Sequence, residues 1–185
     1  MGESREKSQG ATLGYRRWHR YVGAFDRVQH CIERGYYLEA VAILDSLITD
    51  RLTSRVGYLS GAEPRIEPIG PLCRALIGRS DARDGAGLEH DDEFREVVEE
   101  IRTWAVERNH AIHATAKILR SDDPVVSFDD ALRVHHRTAL RGVALLQRFD
   151  RLDTSARQRN GTIPASAPNA FFPERRRIPS GEFTA

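Results

Sequence analysis

Apolar side chains recur at three- and four-residue steps through most of the chain, and where they stop, glycine and proline take over. Trp18, Tyr21, Val22, Phe25, Val28 and Ile32 form the first such series, which predicts an amphipathic helix over about 16–33. Gly35 interrupts it. Tyr37, Ala40, Val41, Leu44, Leu47, Ile48, Leu52 and Val56 then keep helical spacing in the longest predicted helix. Between about 57 and 90, Gly57, Gly61, Pro64, Pro68, Gly70, Pro71, Gly78, Gly85 and Gly87 leave room for only a short helix around 70–79.

Asp91, Asp92 and Glu93 set acid at the start of the next helix, where the helix dipole favours it, and Phe94, Val97, Val98, Ile101, Trp104 and Ala105 form its apolar stripe. A further pattern through Ile112, Thr115, Ala116 and Leu119 stops at Ser121-Asp122-Asp123-Pro124. Ser127-Phe128-Asp129-Asp130 then caps a last helix carrying Ala131, Val134, Leu140, Val143, Leu146 and Phe149. No stretch alternates as a strand does. The pattern predicts an all-α bundle of four to five helices over residues 15–150, with a flexible leader over 1–14. From 151 to 185 the periodicity lapses, and Gly161, Pro164, Pro168, Pro173, Pro179 and Gly181 predict a mobile Pro/Arg-rich tail.

Composition narrows the function classes. With 185 residues, 40% hydrophobic and 30% charged, the chain has the balance of a single globular domain. Its net charge is +1, from 28 basic and 27 acidic residues, so any contact with nucleic acid must come from a local patch. Cys31 and Cys73 stand in no metal-binding or redox spacing and are expected to be free thiols. The first ten residues are polar, and no apolar run is long enough to span a bilayer. A cytoplasmic protein with no membrane contact and no cofactor is expected.

One segment concentrates chemistry: Glu107-Arg108-Asn109-His110-Ala111-Ile112-His113. Arg108, the polar Asn109 directly after it, and His113 match the pattern of Arg, four to six residues, then His, set just behind an amphipathic helix ending in Trp104-Ala105-Val106-Glu107. In this the chain resembles the HEPN superfamily of all-α domains over about residues 16–150, and the long helix from Gly35 to Ser54 resembles the one that members pack against the motif. The resemblance implies a metal-independent endoribonuclease acting on RNA as a homodimer, in a toxin–antitoxin or phage-defence setting with an antitoxin protein as possible partner. Some members of the superfamily only bind. A Tyr often follows the motif His by two positions, and here that position is Thr115.

The residues suit such a reaction. Cleaving RNA at a 2′-hydroxyl needs a proton carrier and positive charge on the phosphoryl oxygens, and His and Arg supply these near neutral pH. His113 is assigned proton transfer, Arg108 the phosphate clamp, Asn109 orientation, and His110 an accessory role. In one unbroken helix Arg108 and His113 would lie about 140° apart around the axis, whereas Asn109 and His113 share a face. That divergence favours a dimer. Glu39, Asp45 and Asp50 are candidate orienting carboxylates, of which Glu39 and Asp50 are singled out. Arg175, Arg176 and Arg177 form a weaker nucleic-acid-binding candidate, with Phe171-Phe172 before them as a docking element. His90, Asp91, His135 and His136 share no recognised metal spacing with His110 and His113, and no metal site is expected. A non-catalytic nucleotide- or protein-binding module and a purely structural helical dimer are the alternatives.

Overall fold

The computed structural model describes residues 4–63, 65–78, 87–114, 127–165 and 169–173. Among them are five helices and no strand: α1 (Ser4–Glu33), α2 (Tyr37–Ser60), α3 (Ile69–Ile77), α4 (Asp92–Ala114) and α5 (Phe128–Arg159). This is the all-α bundle that the periodicity predicts. The expected helix through Thr115, Ala116 and Leu119 lies outside the described residues beyond Ala114.

α1 and α2 form a helical hairpin whose turn is set by Gly35, which adopts a left-handed φ of 80°. The Tyr36 amide donates back to the Cys31 carbonyl at 2.7 Å and the Gly35 amide to Ile32 at 3.3 Å, the hydrogen-bond pair of a Schellman close. The helix begins at Ser4, far ahead of the expected start near 16. Gly10 and Gly14 lower helix propensity there but neither stops the helix, because no proline interrupts the segment.

α2 packs against each of the other four helices. Val41, Leu44, Ile48 and Leu52 are fully buried along it and meet Phe25 and Val28 from α1, Val97, Ile101 and Trp104 from α4, and Leu146 and Phe149 from α5. Trp104 is buried completely, its indole N–H donating to the Thr138 carbonyl at 2.8 Å. Gly142 makes that fit possible: a Cβ there would stand 2.9 Å from the Trp104 ring. α4 starts where the sequence places it, with the Asp91 carboxylate accepting from the Glu93 and Phe94 amides at 3.0 and 3.2 Å. Ser127 caps α5 in the same way, accepting from the Asp130 amide at 3.1 Å.

The mobile-tail expectation is corrected in two places. α5 runs on to Arg159, because the face of its last turns is buried through charge rather than through apolar side chains. Asp153 has no exposed surface and pairs with Arg51 at 2.6 Å, Arg55 at 3.3 Å and Arg157 at 2.9 Å. Asp150 pairs with Arg51 at 2.9 Å, and Glu89 with Arg55 at 2.7 Å. Three guanidinium groups thus face three carboxylates inside the bundle, a neutral set that joins α2, α5 and the approach to α4. Burial nonetheless raises the Asp150 carboxyl above its ordinary range, outweighing the pull of Arg51.

Residues 169–173 return to the bundle as a strap. Ala170, Phe171 and Phe172 are buried, with Phe171 stacked against Tyr21 at 5.4 Å and edge-on to Phe25 at 5.6 Å. The Asn169 amide donates to Asp150 at 2.6 Å, and Gln147 donates to the Phe171 carbonyl at 2.8 Å. Phe171 and Phe172 therefore belong to the core of this chain and not to an outward docking element. Arg175, Arg176 and Arg177 lie outside the described residues.

Candidate functional site

α4 is continuous from Asp92 to Ala114, so the whole Arg108–His113 segment rides on one helix. Arg108 and His113 consequently diverge by about 140° around its axis. Asn109, His110 and His113 are exposed, whereas Arg108 turns inward and is mostly buried.

What meets Arg108 there is Asp45 of α2, at 2.7 Å from the guanidinium. The Arg108 fork also donates to the Asn109 amide oxygen at 2.5 Å, which leaves the Asn109 N–H₂ directed to other partners. Neither the Arg108 Nε nor the Asp45 Oδ1 has an aligned hydrogen-bond partner among the described residues. The contact between them is an ion pair by proximity. Burial raises the Asp45 carboxyl above its ordinary range, and the attraction of Arg108 only partly offsets that.

Glu39 and Asp50 do not join this contact. Glu39 pairs with Arg27 of α1 at 2.8 Å, a hydrogen bond that lowers its carboxyl pKa. Asp50 accepts a hydrogen bond from the Tyr21 hydroxyl, also on α1. Burial, the largest influence on Tyr21, pushes that phenol up to about 12. The carboxylate that reaches Arg108 is the third of the trio, Asp45. A signal for it lies in the spacing, since Val41, Asp45, Ile48 and Leu52 follow one another by four, three and four residues. An acid in that series is directed toward the bundle.

Arg108 and Asn109 open onto a groove of about 480 Å³ between the first turns of α3 and the C-terminal half of α4. Arg74 of α3 and Arg102 of α4 line it too, and none of its lining residues is acidic. In a chain of net charge +1 this is a local concentration of guanidinium. Its walls are otherwise apolar, including Val106, which is 69% exposed. Sequence reading missed Arg74 and Arg102, because nothing local marks them and only the packing of α3 on α4 brings them to Arg108.

The remaining histidines divide as their positions suggest. His135 is buried, its pKa lowered by burial and secondarily by nearby His110, while the adjacent His136 stacks on Tyr37 with ring centroids 4.7 Å apart. Among the described residues no three His, Cys, Asp or Glu side chains converge in a metal-holding group. No helix among them is long and apolar enough to cross a membrane. No protein-family model matches the chain, and no curated protein or solved structure gives a significant match.

Proposed function

We propose that this chain is an endoribonuclease of HEPN type that works without metal and acts as a homodimer. The observation that carries the reading is the meeting of Arg108 and Asn109 with Arg74 and Arg102 in one groove free of acid. An RNA phosphate seated there has its charge opposed by planar forks suited to its oxygens. Asp45 holds the Arg108 fork in place, so little reorganisation is needed as charge grows on the phosphoryl oxygens.

In the reaction the 2′-oxygen bonds to phosphorus and the bond from phosphorus to the 5′-oxygen breaks. One proton leaves the 2′-hydroxyl and one is delivered to the departing 5′-oxygen. His113 is the proton carrier in this scheme. Because it diverges from Arg108 on its own helix, the His113 of a second copy completes the site. Asn109 and His113, four residues apart, share a side of α4, so a second copy that meets this end of the helix brings its own His113 toward Arg108 and Asn109.

Purified protein incubated with total RNA and tRNA in EDTA tests this. The expected products end in 2′,3′-cyclic phosphate, and a substrate with 2′-deoxy at the scissile position is spared. His113→Ala should cost about 10²–10⁴-fold in rate with helix content unchanged. Ends bearing 5′-phosphate, or full activity in His113→Ala, would refute the mechanism. For the toxin or defence role, expression of the wild-type chain should arrest bacterial growth and His113→Ala should not.

A binding role without chemistry is favoured by one specific observation: Arg108 is already engaged by Asp45 and lies about 140° around α4 from His113. Under that reading RNA is retained in the groove and recovered intact after prolonged incubation.

A further inference from the structure

We propose that Arg74 and Arg102 form a second phosphate subsite beside Arg108, so that the groove holds two consecutive phosphates of a single-stranded RNA. The inference rests on the reading above that the groove receives RNA, and it does not require that the RNA be cleaved.

Several arginines elsewhere in the molecule are matched by carboxylate. Arg27, Arg51, Arg55, Arg133, Arg141, Arg148 and Arg157 each pair with Asp or Glu. Arg74 is exposed with no ion pair among the described residues, as Arg34, Arg65 and Arg159 are, and what sets it apart is that Arg102 and Arg108 line the same groove. Arg102 gives one nitrogen to Glu99 at 2.5 Å, leaving most of its five donors for another partner. Arg102 and Arg108 are rooted about 9 Å apart along the α4 axis. Their charge is therefore spread along the groove rather than focused on one compact oxyanion.

The floor is open as well as basic. A Cβ built on Gly70 meets nothing within 4 Å, and the backbone there is ordinary helix. Pro68 offers no capping side chain to α3, so the Ile69 and Gly70 amides, at two residues that line the groove, are left uncapped by it. A volume of about 480 Å³ has the capacity of a small-ligand site, which suits a short length of strand rather than a duplex. Its apolar walls offer bases a surface, as single-strand recognition requires.

The test is fluorescence anisotropy with labelled 2′-O-methyl oligouridylates, which lack the attacking hydroxyl, carrying one, two or four phosphates. In the wild-type protein the second phosphate should tighten binding about tenfold, the scale of one charge-assisted contact. Arg74→Gln combined with Arg102→Gln should erase that increment and make the salt dependence of the four-phosphate probe shallower by about 0.7 in log–log slope, the share of one phosphate on a single strand. Gly70→Leu, at a lining position where an added Cβ meets nothing within 4 Å, should give the same loss with an unchanged melting curve. An increment that survives in the double variant overturns the proposal, as does wild-type affinity in Gly70→Leu or no binding to any probe. Tighter binding of a duplex overturns it too, and displacement by inorganic tripolyphosphate as effective as by the four-phosphate probe assigns the groove to free polyphosphates instead. Binding that follows these rules with RNA left intact refutes only the nuclease reading. Cleavage without the second-phosphate increment refutes only this inference.

Discussion

Phe171→Ala is the most direct probe of how the strap is held. Phe171 is 1% exposed, although it lies beyond α5 in a stretch of chain rich in proline. Burying a phenylalanine removes about 150–250 Å² from water, or about 4–6 kcal/mol at the usual coefficient, as an upper bound. Fixing the backbone of each strap residue costs roughly 1–2 kcal/mol, so the hydrogen bonds from Asn169 and Gln147 are needed beside the ring to keep the segment docked. With the ring gone the strap should release, and the loss includes wetting of Tyr21 and of the fully buried Phe25. The expected cost is about 3–5 kcal/mol, the range for Phe→Ala in a core. For a domain of this size that is roughly 6–20 °C in Tm. Urea unfolding followed by tryptophan fluorescence measures it, with Trp104 as a buried reporter, and hydrogen exchange over α1 locates it. A loss below about 1 kcal/mol with unchanged m would mean that the strap undocks locally at little cost, and the argument from burial would fail.

Three further outcomes are expected. Asp153→Asn leaves Arg51, Arg55 and Arg157 around a neutral side chain with no exposed surface, and should destabilise by about 3–5 kcal/mol in the same urea experiment; a cost under about 1 kcal/mol would mean that water reaches the network. His135 is held neutral by burial, so its folded pKa lies below the unfolded value of about 6.5. Its contribution to stability is present above that pH and is lost as pH falls from there toward the folded pKa, and His135→Gln should flatten the fall in urea midpoint between about pH 7 and pH 5. Asp45→Asn removes the acid beside Arg108, and should bind the four-phosphate probe at least as tightly as wild type while cleaving RNA more slowly; equal cleavage would show that Asp45 does not position the fork.

The helices were legible wherever their buried faces are apolar. Phe94, Val97, Val98, Ile101 and Trp104 announce α4, and all five are buried. The end of α5 was not legible, because Phe149, Asp153 and Ala156 keep helical spacing while one of the three is a carboxylate. A reading that counts apolar residues drops out at Asp153, although three arginines make that position as interior as a leucine. The strap was missed for a related reason. Proline marks where a helix cannot continue, and says nothing about whether the chain returns to the core.

The same limit explains the site. Arg108, Asn109 and His113 stand out by residue type within one short segment, but what each does depends on neighbours from other helices. Of the three carboxylates the sequence offers, Glu39 and Asp50 face α1 and are occupied by Arg27 and Tyr21, which leaves Asp45 for Arg108. The four-three-four series from Val41 to Leu52 carries the distinction, because an acid at an inward position must find a cation to remain charged. Applied to α4, that rule singles out Arg108 as the inward cation among its last turns. Applied to α3, it leaves Arg74 facing outward with no acid opposite, beside Arg102 and Arg108, whose partners Glu99 and Asp45 are not among the groove's lining residues. Carboxylates are required where the fold buries arginine, as at Asp153, whereas an arginine left on the surface, such as Arg74, is solvated by water and needs none.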